Sequence, residues 1–283
     1  MPELPEVETV RRGLEPALRG ARFLHVEQRR SDLRFPLPER FVERLTGRRV
    51  ERLERRAKYI LMHLDSEEVL AVHLGMTGRF TVSGGRPGAA LGEHVHRAGR
   101  DAKHDHLVFT MSRGAIVTYN DARRFGRLAV IAPEAVVAET AAGVDALSDG
   151  FTAGFLHAGT RRHRRTTVKS LLMDQREIAG LGNIYVNEIL FRAGVRPRRR
   201  AGRLTRAECA AVVEAIRPVL HGAIERGGSS ISDYRDGFER FGSYQDDHVV
   251  YDRSGEPCLR CGSPIRSCVV AGRSTFYCAR CQR

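Results

Sequence analysis

Four cysteines near the end of the chain constrain its fold most strongly. Cys258 and Cys261 form one C-x2-C pair, and Cys278 and Cys281 form a second pair sixteen residues further on. This spacing is typical of a four-thiolate zinc site, in which two tight turns bring four sulfurs into a tetrahedron. Two disulfides are the alternative, but disulfides are rare in the cytosol. We therefore predict one structural zinc ion in a small finger whose folding depends on the metal.

The predicted finger is basic as well as cysteine-rich. Its arginines are Arg260, Arg266, Arg273 and Arg280, which suit it to contact phosphate. The remaining cysteines, Cys209 and Cys268, lie outside the paired positions, and we interpret both as ordinary thiols.

The whole chain shares this charge. Its 283 residues carry a formal net charge of +13, which is typical of proteins that bind a polyanion. We predict nucleic acid as the partner, because the chain has neither an amphipathic anchor helix nor a run of eighteen apolar residues. A basic surface without a specific partner is the alternative. Because residues 1–14 carry several charges and no apolar leader segment, we expect a cytoplasmic protein without membrane association. We expect a monomer, since nothing in the sequence marks a self-association face.

The chain opens with Met1-Pro2-Glu3, so removal of Met1 would leave a proline amine beside a carboxylate. A terminal amine titrates near about 8, so roughly a tenth of it is neutral at pH 7, a far larger share than for lysine. A secondary amine that attacks an aldehyde-like carbon forms an iminium, which draws electrons from neighbouring bonds. Pro2 is thus a candidate nucleophile, although the dipeptide alone is more typical of a solvated terminus.

Lysine is rare in this chain and therefore informative. Only Lys58, Lys103 and Lys169 occur among 47 basic residues. Lysine can release its proton, whereas arginine stays charged. A position that keeps lysine among arginines is a candidate for proton transfer, and Lys58 is the leading one. A solvated strand residue is the alternative at that position.

The first half of the chain predicts one helix followed by strands. Apolar residues recur at helical spacing from Glu3 to Leu18, which places Glu3 and Glu6 in the first turn of an amphipathic helix. Seven strand-like runs follow, and their spacing predicts a sandwich that ends near Pro133. These runs cover 23–28, 50–53, 59–64, 69–74, 107–111, 116–119 and 128–131.

From residue 151 to about 226 the apolar period is helical. Gly180-Leu181-Gly182-Asn183 predicts a glycine turn that ends on an asparagine N-cap. The backbone amides at such a helix start can bind phosphate without reading base sequence. The alternative interpretation is a plain turn between two helices. A segment rich in Gly, Ser and Asp over 227–247 predicts a mobile loop before the finger.

These features, in this order, resemble the formamidopyrimidine-DNA glycosylases, bacterial enzymes that excise oxidised purines. The resemblance covers nearly the whole chain and rests on seven motifs. The motifs are Pro2-Glu3-Leu4-Pro5-Glu6-Val7-Glu8, Arg56-Ala57-Lys58-Tyr59, His73-Leu74-Gly75-Met76, Lys103-His104-Asp105-His106, Arg123-Arg124-Phe125-Gly126, Gly182-Asn183-Ile184-Tyr185 and the finger with Arg273-Ser274-Thr275-Phe276-Tyr277-Cys278.

The resemblance implies a bifunctional glycosylase and lyase. Pro2 would attack C1′ of the damaged nucleotide and displace the base, while Glu3 would move protons on the sugar. Lys58 corresponds to the proton donor in β-elimination, and Arg273 corresponds to the finger arginine with that role in δ-elimination. Because a guanidinium group titrates above about 12, we interpret Arg273 at least as a phosphate clamp.

The resemblance also implies how DNA is held. Extruding a base leaves a gap in the duplex, and the chain's apolar side chains at Met76 and Phe125 would plug it. Arg123 would hydrogen-bond the orphaned cytosine, and Glu6 would be a supporting carboxylate outside the catalytic pair. The other implied DNA contacts are His104, Arg165 and Asn183.

Three places depart from the family pattern. The segment 83–100 is longer than usual, Ala122 stands where proline is common, and Ser232 stands where the base-capping loop often has lysine or arginine. These departures leave the lyase chemistry unchanged but weaken inference about the preferred lesion. His94 and His96 suggest either a second metal site or an exposed polar loop, and we favour the loop because no nearby cysteine completes a ligand set.

We therefore predict an α+β protein. An N-terminal helix and β-sandwich domain would span 1–133, followed by a linker over 134–150. A helical helix-two-turn-helix domain with a base-capping loop would span 151–247, and a zinc-finger β-ribbon would span 248–283. The predicted function is removal of 8-oxoguanine and formamidopyrimidines from damaged double-stranded DNA, with β,δ-elimination. An oxidised-pyrimidine glycosylase of the same superfamily and a catalytically silent zinc-finger DNA-binding protein remain as alternatives.

Overall fold

A computed structural model describes residues 1–84, 101–140, 143–229 and 242–283. The chain divides into two compact units. The first, rich in strands, comprises Met1–Thr140 and Arg226–Ser243, and the second, largely helical, comprises Ala141–Glu225 and Tyr244–Arg283. Within the described ranges, no helix is long and apolar enough to cross a membrane.

The first unit contains one long helix and two four-stranded antiparallel sheets. Helix α1 spans Leu4–Leu18, and the short helices α2 and α3 span Phe41–Leu45 and Val136–Thr140. The sheets have the strand orders β1-β6-β7-β5 and β2-β3-β4-β8. The strands are β1 Phe23–Gln28, β2 Val50–Arg56, β3 Tyr59–Leu64, β4 Val69–His73, β5 Arg79–Gly84, β6 Asp105–Met111, β7 Ala115–Asn120 and β8 Arg127–Ile131.

The two sheets and α1 enclose one apolar core. The buried stripe of α1 is Val7, Val10, Leu14 and Leu18, and it packs with strand residues from both sheets. These contacts confirm the predicted helix and sandwich. All seven predicted strands are present, but the prediction missed β5, because only Phe80 and Val82 mark its apolar alternation.

The second unit contains the remaining helices and two small strand pairs. Its helices are α4 Ala153–Arg162, α5 Val168–Met173, α6 Asn183–Arg192 and α7 Arg206–Glu225. A short parallel pair joins β9 (Val144–Asp145) to β10 (Ile178–Ala179), and the cysteine-rich end forms an antiparallel ribbon of β11 (Ile265–Val270) and β12 (Arg273–Cys278). Residues 244–247 form a 3-10 turn in which Tyr244 is buried.

A buried carboxylate on α6 holds the segment that leads into the ribbon. The side chain of Glu188 is fully buried, and its oxygens accept backbone N–H groups from Val249, Val250 and Tyr251 at 2.9–3.2 Å. Three backbone donors converge on one carboxylate, so this segment is fixed to α6 by charge-assisted hydrogen bonds.

Replacing Glu188 with Gln should destabilise the protein by about 2 kcal/mol, because the new NH2 group faces backbone donors and leaves buried groups unsatisfied. Chemical denaturation of the two proteins would measure the change. The matched control is Glu214→Gln, the same substitution at an exposed position of α7. Equal effects of the two substitutions would contradict the role assigned to Glu188.

Candidate functional site

The amino-terminal end of α1 is buried together with its carboxylates. Pro2 is buried, and Glu3 and Glu6 are 3% and 2% exposed. One oxygen of Glu6 accepts the Glu3 backbone N–H at 2.9 Å, and the other accepts the Ser229 N–H at 2.8 Å. Gly228, with a φ of +83°, leaves room for this carboxylate, because a Cβ there would lie 2.7 Å from it. Glu6 therefore holds the backbone around Pro2 and Glu3.

Two contacts set the direction of α1 against β2. Glu8 pairs with Arg55 at 3.7 Å, and the Arg11 guanidinium donates to the Leu53 carbonyl at 3.4 Å. From the first contact to the second, the residue number increases along α1, from Glu8 to Arg11, and decreases along β2, from Arg55 to Leu53. Helix and strand therefore run in opposite directions.

This antiparallel arrangement brings two predicted catalytic residues to one end. Lys58 lies in the two-residue turn between β2 and β3, where Ala57 has a φ of 53°. From the Glu8–Arg55 pair, Pro2 lies about 9 Å back toward the start of the helix. Lys58 lies about 7 Å beyond Arg55 in the opposite chain direction, because it is two residues before Ile60, the partner of Arg55 across the hairpin. Both residues therefore lie toward the same end. Lys58 is only 5% exposed, which excludes a solvated strand residue.

His73 is a neighbour of Lys58 that the sequence analysis did not single out, although it begins one of the motifs. It pairs with Tyr59 across β3 and β4, with ring centroids 4.8 Å apart. Its Nδ1 accepts the Gly75 N–H at 3.1 Å. Burial, followed by nearby cationic side chains led by Lys58, lowers the pKa of His73 to about 4. The imidazole beside Lys58 is therefore neutral at physiological pH.

Two turns of the first unit carry Met76, Arg123 and Phe125. Met76 lies between β4 and β5, and the other two residues lie between β7 and β8. The Arg123 guanidinium lies over the Phe125 ring, 4.7 Å from its centroid, and Phe125 is 43% exposed. His104 ends a 3-10 turn just before β6. An exposed aromatic ring under a guanidinium group is suited to contact a base.

In the second unit, Asn183 is the first residue of α6. The N-cap is Gly182, so the predicted asparagine cap is wrong by one position. Gly182 has an extended backbone, and helical geometry begins directly after it. The Asn183 carbonyl accepts the side-chain amide of Asn187 at 2.6 Å. Arg165 is exposed before α5, and its carbonyl accepts the Arg200 guanidinium.

Two fully buried side chains join these helices to the ribbon. The side-chain amide oxygen of Asn187 accepts the backbone N–H of Phe276, on β12, at 2.9 Å. The Lys169 ammonium donates to the Ser274 carbonyl at 2.8 Å and to the Thr275 hydroxyl at 2.6 Å. Both side chains therefore hold β12, whose first residue is the exposed Arg273. Sequence reasoning noted Lys169 only as a rare lysine.

The four paired cysteines converge on one point. All four sulfur atoms lie within 4.8 Å of one another, with Cys258 to Cys281 at 3.9 Å and Cys261 to Cys278 at 3.5 Å. A tetrahedron with zinc–sulfur bonds of about 2.3 Å requires sulfurs about 3.8 Å apart. The thiolates thus fit one zinc ion. Cys268 lies on β11 outside this cluster.

The chain matches three domain families along its length. These are the formamidopyrimidine-DNA glycosylase N-terminal domain over residues 1–128, the formamidopyrimidine-DNA glycosylase H2TH domain over 142–235, and the zinc finger found in FPG and IleRS over 255–283. A formamidopyrimidine-DNA glycosylase of Ruegeria pomeroyi is 51% identical over 288 residues, and one of Cereibacter sphaeroides is 50% identical over 288 residues. Both alignments cover 100% of each chain.

Solved structures show the same architecture. The crystal structure of the MutM (Fpg) protein from Thermus thermophilus has a TM-score of 0.82 and 36% identity, and covers 99% of this chain and 98% of that one. A complex of Lactococcus lactis Fpg with DNA containing an abasic site has a TM-score of 0.84 and 31% identity, with 100% of both chains covered.

This fold and this site define a DNA glycosylase with abasic-site lyase activity, an enzyme of base-excision repair. The zinc finger confirms the predicted single structural zinc ion. The chain belongs to the formamidopyrimidine-DNA glycosylase family.

Several predicted features lie outside the described residues. They are His94, His96, Ser232, most of the long segment 83–100 and the central part of the predicted base-capping loop.

Replacing His73 with Asn should flatten the pH dependence of folding stability between about pH 6.5 and pH 4. An unfolded histidine titrates near about 6.5, whereas the folded pKa of His73 is about 4. The unfolded state therefore gains a proton that the native state does not bind. The contribution of His73 to the free energy of unfolding is fully present above pH 6.5, and it falls by up to about 3 kcal/mol as the pH drops to 4.

Urea denaturation at pH 7.0, 5.5 and 4.5 would measure this slope. The control is His25→Asn at an exposed position of β1. If the free energy of unfolding of the His73 variant depended on pH as steeply as that of the wild type, the lowered pKa of His73 would be contradicted.

Replacing Cys261 with Ser should remove most of the bound zinc, because three thiolates and a hydroxyl form a weaker site than four thiolates. Colorimetric zinc release should give one ion per wild-type chain. The matched control is Cys268→Ser, which should retain that ion. Equal zinc loss from both variants would contradict the assigned ligands.

Proposed function

We propose that this protein excises oxidised purines, such as 8-oxoguanine and formamidopyrimidines, from duplex DNA and then cleaves the abasic strand. The observation that carries the proposal is the placement of Pro2 and the buried Lys58 at one end of the antiparallel α1–β2 pair. Similar solved proteins from Lactococcus lactis are complexed with DNA containing Fapy-dG or an abasic site. They support damaged double-stranded DNA as the partner.

The first step uses Pro2 after removal of Met1. The proline nitrogen attacks C1′, a nitrogen–carbon bond forms, and the base departs with the electrons of its glycosidic bond. The amine loses its proton, Glu3 delivers a proton to the ring oxygen O4′, and the C1′–O4′ bond breaks. The opened sugar is then joined to Pro2 as an iminium. The positive end of the α1 dipole disfavours a second positive charge nearby, which favours the neutral, nucleophilic amine.

The second step cleaves the strand. The iminium on Pro2 withdraws electrons, so the C2′ proton is lost and the 3′ phosphate departs in β-elimination. Lys58 supplies the proton in this step, and the neutral His73 beside it adds no competing positive charge. Arg273 clamps the phosphate that departs in δ-elimination, and the exposed position of this arginine on β12 suits that contact.

The remaining candidate residues hold the duplex. His104, Arg165 and Asn183 contact phosphates, and Met76, Arg123 and Phe125 fill the gap left by the extruded base. The protein works as a monomer on chromosomal DNA, in the cytoplasm at the nucleoid. Its domains are the catalytic 1–133, the linker 134–150, the DNA-binding 151–247 and the finger 248–283.

Borohydride trapping should capture a covalent adduct between Pro2 and a duplex with 8-oxoguanine opposite cytosine. A duplex with thymine glycol should be trapped more slowly. Pro2→Gly should form much less adduct, because its primary amine still reacts but more slowly.

Lys58→Gln should slow strand cleavage by about 100-fold, the usual contribution of a positioned proton donor. Lys103→Gln, at an exposed position, is its matched control. Mass spectrometry would first confirm that Met1 is absent.

Each outcome separates the candidate functions. No adduct with either duplex would favour a protein that only binds DNA, and faster trapping of thymine glycol would favour the oxidised-pyrimidine branch. An adduct that survives Pro2→Gly unchanged would exclude Pro2 as the nucleophile.

A further inference from the structure

Asp121 connects the two turns that carry Met76 and Phe125. It follows β7, and its side chain is fully buried. One carboxylate oxygen accepts the Thr77 hydroxyl at 2.5 Å, and the other accepts the Gly126 N–H at 2.8 Å. Thr77 directly follows Met76, and Gly126 directly follows Phe125. A single buried carboxylate therefore spans both turns.

The hydroxyl of Thr77 adds a second connection between the turns. It donates to Asp121 and accepts the Arg123 backbone N–H at 3.0 Å. A hydroxyl has one proton and two lone pairs, so it makes both hydrogen bonds at once. The Asp121 backbone N–H also donates to the His104 carbonyl at 3.0 Å, and the Tyr119 hydroxyl donates to the carboxylate at 3.3 Å.

The turns also touch directly, without intervening side chains. A Cβ on Gly75 would lie 2.4 Å from the backbone carbonyl carbon of Phe125. A Cβ on Gly126 would lie 1.9 Å from the Tyr119 hydroxyl. Glycine is required at Gly75 because the two backbones approach closely, and at Gly126 because the Tyr119 side chain occupies the space of a Cβ.

We infer that Asp121 is a positioning residue that holds Met76, Arg123 and Phe125 as one rigid wedge. The inference rests on the proposed function, in which these three residues fill the gap left by an extruded base. Unpairing and unstacking oppose extrusion. Side chains that are already ordered lose less conformational entropy when they enter the base stack. A preformed wedge therefore favours the extruded state more than two independent turns would.

A carboxylate suits this position better than an amide. Both oxygens of Asp121 face donors, the Thr77 hydroxyl on one side and the Gly126 N–H on the other. An asparagine offers one acceptor oxygen, so both contacts would survive only if Thr77 accepted from the new NH2 group. Both contacts would then join neutral groups and would be weaker than those to a carboxylate.

The test compares base excision with cleavage of a preformed abasic site under single-turnover conditions. Thr77→Val keeps the shape of the side chain but removes both of its hydrogen bonds. It should slow excision of 8-oxoguanine about tenfold, equivalent to one charge-assisted hydrogen bond. Cleavage of the abasic duplex should stay within about twofold, because no base has to be extruded. Asp121→Ala, which removes both acceptor oxygens, should behave in the same way.

Two control variants keep the wedge intact. Thr77→Ser retains the hydroxyl, and Tyr119→Phe removes one bond to Asp121 without releasing either turn. Both should stay within about threefold of wild type on the two substrates, because Asp121 still binds Thr77 or its serine replacement and Gly126 in each variant.

Met76→Ala separates failure of the inference from failure of the proposed function. If this variant slows excision while Thr77→Val matches wild type on both substrates, the inference is overturned and the proposed function stands. Equal slowing of both substrates by Thr77→Val would show a general structural defect and also overturn it. If Met76→Ala excises at the wild-type rate, the gap-filling role fails, and the wedge fails with it.

Discussion

Buried side chains that hydrogen-bond to the backbone hold each functional segment of this protein. Glu6 fixes the start of α1, Asp121 joins two turns, and Asn187 and Glu188 attach the finger and the segment before it. Removing one partner of a buried hydrogen bond costs about 1–3 kcal/mol. Each of these carboxylates and amides therefore stabilises the turn or chain segment that it binds.

The scarce lysines follow from the same constraint. Lys58 and Lys169 are 5% and 0% exposed, whereas the side chain of Lys103 is 69% exposed. A buried guanidinium would need acceptors for five N–H groups, whereas an ammonium needs only three. Lys169 meets two of its acceptors on β12. In a chain that otherwise uses arginine, two of the three lysines therefore lie where a cation is buried.

Much of the fold was predictable because its patterns are local. The apolar period of α1, the seven strands and the four-cysteine spacing each depend on residues close together in the sequence. The prediction failed where local information is weak. β5 has only two alternating apolar residues, and the helix start at Asn183 depends on the extended backbone of Gly182.

The sequence by itself determined which chemical groups are present: a proline behind Met1, two carboxylates, one lysine among arginines and four thiols at zinc spacing. Only the tertiary structure decided how they are arranged. It placed Pro2 and Lys58 at one end of a helix-strand pair, and it joined Thr77 to Asp121 and Glu6 to Ser229. Burial and hydrogen bonding between residues far apart in the chain follow from packing of the whole domain, which no local pattern encodes.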